Sequence, residues 1–177
     1  MSERLPSRER ALKLLHENGC SIKVVNHCRT VAKLALETAE TLKQKGLNVN
    51  LGLVEAGALL HDIGRSRTHS VNHAVEGAEM ARQAGLPKPV VAIIQRHVGG
   101  GITANEAKAL GWPNDDIYVP ATLEEKIVSY ADKLIENGKR VPVDRAIEQL
   151  YRESKPEAAE RVRKLHEEIA ALVGDCP

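Results

Sequence analysis

The stretch Ala58-Leu59-Leu60-His61-Asp62-Ile63-Gly64 runs an apolar segment straight into a His-Asp pair and then a glycine. Asn50 is placed to cap this segment, so residues 50–60 predict a short and very apolar helix broken at Gly64. Helix signals continue outward from it in both directions. Upstream, Ser7 opens a helix through Glu17 with Gly19 as its stop, and Ser21 opens a longer one to Lys45 with Gly46 beyond. Ile22, Val25, Ala32, Ala35, Ala39 and Leu42 form the core-facing stripe of the longer helix. Downstream, a helix runs from about Ser70 or Asn72 to Ala84, and Pro87 and Pro89 open another that carries Val90, Val91, Ile93 and Ile94. Capping boxes at Thr103–Glu106 and Thr122–Glu125 start helices ending near Gly111 and near Asn137, the latter with Gly138 as stop. Asp144 to Glu153 and Lys155 to Val173, closed by Gly174, complete the set. Sustained two-residue alternation is missing, and Ile117–Val119 and Arg140–Val143 are too short and Pro-bounded to carry a sheet. The predicted fold class is all-α, a compact helical bundle.

The chain has 177 residues, which predicts a single domain over 1–177, with a core at about 21–138 and a helical extension over 139–177. Hydrophobic residues at 42% and charged residues at 28% exclude intrinsic disorder. Lys and Arg number 25 against 24 Asp and Glu, and this near-neutrality disfavours long nucleic acid as a partner. Aromatic residues make up 2%, with no Phe, which excludes a base-stacking platform and demands a core of Leu, Ile, Val and Ala. No run reaches the roughly 20 apolar residues of a membrane helix. The start, Met1 to Pro6, lacks the apolar region of a signal peptide. Cys20, Cys28 and Cys176 form no CxxC pair and read as reduced thiols of a cytoplasmic protein.

Imidazole and carboxylate are ligands for divalent transition metals, and a His-Asp pair at a frayed helix end can converge on one ion. His27, His69, His73 and His97 also sit on or beside apolar helical faces. Asp132 follows Val128-Ser129-Tyr130-Ala131, where a carboxylate is costly to bury unless it is paired or metal-bound. His16 and His166, in charged surroundings near the termini, read as solvated.

In this order along the chain, His27-Cys-Arg-Thr-Val-Ala, Leu59-Leu60-His61-Asp62-Ile63-Gly64 and Ser129-Tyr130-Ala131-Asp132-Lys133 resemble the HD-domain metal-dependent phosphohydrolases of the HDIG subgroup. Asn72-His73-Ala-Val-Glu-Gly-Ala and Gln95-Arg96-His97-Val-Gly-Gly are similar to the segments that supply extra histidines in binuclear members. The whole chain looks most like small stand-alone HDIG proteins of archaea. The resemblance implies that His27, His61, Asp62 and Asp132 hold one ion, and that His73 and His97 hold a second with Asp62 bridging. His69 competes with His73, but the small residues Ala74, Gly77 and Ala78 around His73 favour the latter. Arg65 is implied as a phosphate-holding residue, so Asp62 and Arg65 are the candidate catalytic residues. Arg96 and Lys133 flank ligands and are weaker candidates for the same task, and Arg140 could reach a pocket rim.

The reading of function that follows is a phosphohydrolase cleaving a mono- or diester of a nucleotide or related small phosphorylated substrate with metal-activated water. One or two ions of Fe, Mn, Zn, Ni or Co suit the mixed ligands. Two alternatives stand beside it: a di-iron oxygenase of the same fold, and a non-catalytic module that senses a nucleotide or docks on a partner. The Gly- and Pro-rich segment His97–Pro120 reads by default as a plain surface loop, with a binding loop as the alternative. The apolar side of residues 155–173 (Val162, Leu165, Ile169, Leu172) serves either its own core or a homodimer.

Overall fold

The computed structural model describes residues 4–174, and Met1–Glu3 and 175–177, with Cys176, lie outside them. Among the described residues the chain forms α1 (Arg8–Glu17), α2 (Ile22–Gln44), α3 (Leu51–Leu60), a 3-10 turn (Ile63–Ser66), α4 (His73–Gln83), α5 (Lys88–Arg96), α6 (Ala104–Ala109) and α7 (Leu123–Lys133). A two-residue hairpin follows, β1 (Ile135–Glu136) and β2 (Lys139–Arg140), and then α8 (Val143–Arg152) and α9 (Pro156–Val173). The fold is all-α. Ser7, Ser21, Asn50, Thr103 and Thr122 each accept a bond from the backbone N–H three residues on, so the side chains that opened each helix in the sequence do so by capping it.

The long α2 packs on α3 and α7, and α3 is covered on its other sides by α1 and α5. With no Phe available, the centre is filled by Leu15, Leu42, Leu59, Leu60, Ile93, Ile94 and Ile127, all buried. Small residues let the helices close in: a Cβ on Gly57 of α3 would collide with the Ile93 side chain of α5. A second, smaller core gathers Trp112, Tyr118, Ala74 and Ala107 where segment 97–120 folds over α4. Among the described residues no helix is long and apolar enough to cross a membrane.

Several expectations are corrected. Ile22, placed on the core stripe, is 67% exposed and lines a cleft with the rest of the first turn of α2. The helix expected to reach Asn137 stops at Lys133, since Asn137 (φ 50°) and Gly138 (φ 75°) both take left-handed backbone and turn the chain into a hairpin. The second capping box is half formed: Thr122 caps Glu125 N, but the Glu125 carboxylate accepts from Ala121 N and Arg96 instead. His166 is half-buried and bonds through Nδ1 to the Tyr130 hydroxyl, so it is not a simple solvated residue. Of the two readings of the α9 stripe, packing on the chain's own core accounts for Val162, Leu165 and Ile169, which are buried, and Leu172 is half-buried against the same core. Cys20 and Cys28 are buried free thiols.

Candidate metal centre

Helix ends assemble the centre. His61 follows the last residue of α3, His97 follows the last of α5, His73 opens α4, Asp132 lies in the last turn of α7, and His27 comes from the second turn of α2. The last carbonyls of a helix lack intrahelical partners, and the imidazoles use them. His61 Nδ1 donates to Ala58 O and His97 Nδ1 to Ile94 O, each at 2.7 Å and each three residues back. His73 Nδ1 makes the same bond, also 2.7 Å, to Ser70 O in the turn before α4. A carbonyl can only accept, so all three rings carry hydrogen on Nδ1 and turn Nε2 inward, the second support that oriented metal ligands use.

The inward atoms meet around Asp62. Its Oδ2 lies 3.7 Å from His27 Nε2 and 3.6 Å from His61 Nε2. Its Oδ1 lies 3.1 Å from His73 Nε2 and 3.3 Å from His97 Nε2. One carboxylate therefore faces a histidine pair with each oxygen. Asp132 Oδ1 closes the first half at 2.9 Å from His27 Nε2 and 3.4 Å from His61 Nε2. Potential ligand atoms fall within 4.8 Å of one another in three groups: His27, His61 and Asp62; His61, His97 and Asp132; and Asp62, His73 and His97.

Two observations show that these residues fit a cation. His61 Nε2 is fully buried with no hydrogen-bond partner, although Asp132 Oδ1 lies 3.4 Å and Asp62 Oδ2 3.6 Å away. His73 Nε2 and His97 Nε2 stand 3.0 Å apart, and with both Nδ1 atoms committed as donors their lone pairs oppose each other unless a proton or cation lies between. Electrostatics agree. Burial holds the His97 imidazole down to about 4, against the pull of Asp62, so it is neutral at pH 7 as a ligand must be. Burial also disfavours charge on His61, Asp62 and Asp132. Even so, the facing charges win: His61 is held well above the usual imidazole range by Asp62, and both carboxyls are held well below theirs by His61 and, for Asp132, first by Lys133.

The two halves differ in access. His27, Asp62 and Asp132 line an open cleft of about 1100 Å³, whereas His61, His73 and His97 do not reach it. Arg65 lines the cleft with Nε 3.6 Å from Asp62 Oδ1, and Lys133 lines it with Nζ 2.7 Å from Asp132 Oδ2. His69 is exposed and lends its carbonyl to Arg65, while His73 is buried in the cluster. Arg96 is not at the cleft: it is held by both oxygens of Glu125 and by the Ile117 carbonyl, a bond between α5 and α7. Arg140 also lies elsewhere, in a small hollow between α2 and α9. Segment 97–120 lines no part of the cleft, which is walled by the first turns of α2, the hairpin and α8. Lys23, Arg145 and Arg152 add basic groups that sequence reasoning missed. Lys23 stands four residues before His27, a spacing that puts both on one helix face and could have disclosed it. Arg145 and Arg152 carry no such local signal, since only the hairpin brings α8 to the cleft.

The sequence model of the family described as HD domain matches residues 24–137. An uncharacterized protein of Methanocaldococcus jannaschii is 46% identical over 165 residues, covering 93% of this chain and 92% of that one. The tRNA (cytidine(56)-2'-O)-methyltransferase of Thermoplasma volcanium is 39% identical over 170 residues, covering 96% of this chain but 48% of the enzyme, so the chain spans about half its length. Among solved structures, the HD domain of the Listeria monocytogenes phosphodiesterase PgpH in complex with cyclic-di-AMP shares the fold, with a TM-score of 0.55 at 17% identity over 94% of this chain and 98% of that one.

Proposed function

The chain belongs to the HD-domain family, and from that premise we propose that it is a metal-dependent phosphohydrolase acting on a nucleotide or a related small phosphorylated substrate. The observation that carries this reading is Asp62, whose two oxygens each face a histidine pair beside an open cleft that Arg65 and Lys133 also line. His27, His61, Asp62 and Asp132 would hold one divalent ion, and His73 and His97, with Asp62 shared, a second. Bound ions of this kind supply a water that ionises near neutral pH and positive charge for phosphoryl oxygens. Arg65, fixed by the His69 carbonyl beside Asp62, presents donors to the non-bridging oxygens. Lys133 holds Asp132 ionised and adds a charge at the same wall. Lys23 extends the basic lining away from the centre, where further phosphates of a nucleotide would lie, and Arg152 stands there paired with Glu148 at 3.5 Å.

The cleft, at about 1100 Å³, lies just above the roughly 300–1,000 Å³ range of small-molecule sites. That size supports a nucleotide or dinucleotide over a small sugar phosphate. The cyclic-di-AMP on the PgpH domain supports the same class. The tRNA methyltransferase relative makes short RNA ends a sensible part of any substrate panel.

The test is the purified chain, loaded in turn with Mn, Fe, Co, Ni or Zn and assayed on phosphomonoesters, nucleotides, cyclic dinucleotides and short RNA. Turnover of a phosphoester is expected, with loss of both metal and activity in His61→Ala and Asp62→Ala. Protein that carries metal yet turns over none of these substrates would overturn the reading. Oxygen uptake by the iron form, with no phosphate released, would replace it with the oxygenase alternative.

A further inference from the structure

Segment 97–120, irregular apart from the short α6, stays out of the cleft. It closes instead over the inner half of the centre. We propose that Trp112 is a positioning residue for that half, acting through Asn72 to fix His73; the proposal rests on the two-ion reading above.

Trp112 is buried against Tyr118, with ring centroids 4.9 Å apart, and against Ala74 and Ala107. Its indole Nε1–H donates to Asn72 Oδ1 at 2.8 Å. Asn72 occupies the N-cap position of α4, where its side chain would ordinarily accept a helix N–H, but it makes no such cap. The acceptor is given to Trp112 instead. Asn72 is bonded to His73, whose ring takes its direction from the Ser70 carbonyl, and the next residue, Ala74, is part of the Trp112 cluster. The backbone of His73 is thus clamped on both sides by contacts that end at one indole. The other inner ligand is tied to the start of the same segment: Ser129 Oγ lies 3.1 Å from His97 O and 3.0 Å from Gly99 O, its one proton shared between them. The outer ligands His27 and Asp132 have no contact with the Trp112 cluster among the bonds and core groups described. Removing the indole N–H should therefore loosen one half of the centre and spare the other.

Supports of this kind change metal affinity by about 10–100-fold. The experiment titrates Mn²⁺ into the full chain and into Trp112→Phe, Asn72→Ala and Asn72→Asp, following stoichiometry by calorimetry and ion pairing by electron paramagnetic resonance. Trp112→Phe keeps an aromatic ring but no donor, Asn72→Ala removes the acceptor at an exposed residue while keeping the core side chains, and Asn72→Asp keeps the acceptor. The wild type should bind two ions with a spin-coupled signal. Trp112→Phe and Asn72→Ala should bind the second ion about 10–100-fold more weakly and lose the coupled signal at limiting metal, with the first ion unchanged. Asn72→Asp should retain both. Coupled pairs of wild-type affinity in Trp112→Phe and Asn72→Ala, with only a lowered melting temperature, would overturn the proposal and leave the two-ion reading standing. A wild type that binds a single ion would overturn both.

Discussion

Gly64 sits two residues after the metal-facing Asp62, yet its backbone is not left-handed, so conformational freedom is not what requires it. Space is. A Cβ there would fall on the His73 carbonyl oxygen and lie 2.7 Å from Gly77 N, because the 3-10 turn rests directly on α4. The sequence reading took Gly64 for a helix breaker; its task is to let the turn carrying Asp62 approach the helix carrying His73. Gly64→Ala should then cost about 3 kcal/mol, at the upper end of overpacking penalties, and lower metal content with it, as thermal melts and metal analysis would show. His61 supports a second expectation at this scale. The facing charge of Asp62 holds its imidazole well above the usual range, and a ligand must be neutral, so an ion that binds at pH 7 has to displace that proton. His97, at about 4, has none to lose. Affinity should rise with pH until the folded-state value for His61 is passed. Calorimetry in buffers of different ionisation enthalpy should count at least one proton released at pH 7, and none released would contradict the assignment.

At the scale of elements, helix starts were legible because a capping side chain is a local device, and Ser7, Ser21, Asn50 and Thr103 sit where the sequence placed them. The hairpin was not. Asn137-Gly138 is a strong turn signal, but strands of two residues have no alternation to flag, and the pair reads equally as a helix stop. Missing it hid the cleft wall, since this turn reverses the chain and the bidentate Arg145–Glu136 bond ties α8 to it. Gly138→Ala forces a Cβ into left-handed backbone, at about 1–2 kcal/mol. For a chain of this size that lowers the melting temperature by about 2–8 °C. Because the hairpin supplies no ligand, metal content should stay unchanged while KM for the substrate rises. A variant that instead lost metal would show that the hairpin supports the centre and does more than wall the cleft.

For the whole molecule, the six candidate ligands were readable in order along the chain, but their division into an open and an enclosed half was not, because access depends on which helices lie across each imidazole. Near-neutral composition was equally silent on the cleft, where Arg65, Lys133 and Lys23 gather within a chain of net charge +1. The ligands come from α2, α4, α7 and the ends of α3 and α5, so an ion bound to them joins five helices that the aliphatic core already packs together. That core is extensive and does not include the ligands, which separates this protein from small zinc domains that unfold without metal. Chelation should leave a cooperatively folding helical protein with a lower melting point. Binding only to the native state stabilises by about 4 kcal/mol when free metal exceeds the dissociation constant 1,000-fold. At about 2–4 °C per kcal/mol for a chain of this length, melting should fall by about 8–16 °C on chelation and depend on the concentration of metal restored. A melting point indifferent to chelator and to added Mn²⁺ would mean that the opposed lone pairs of His73 and His97 are relieved by a proton instead of an ion.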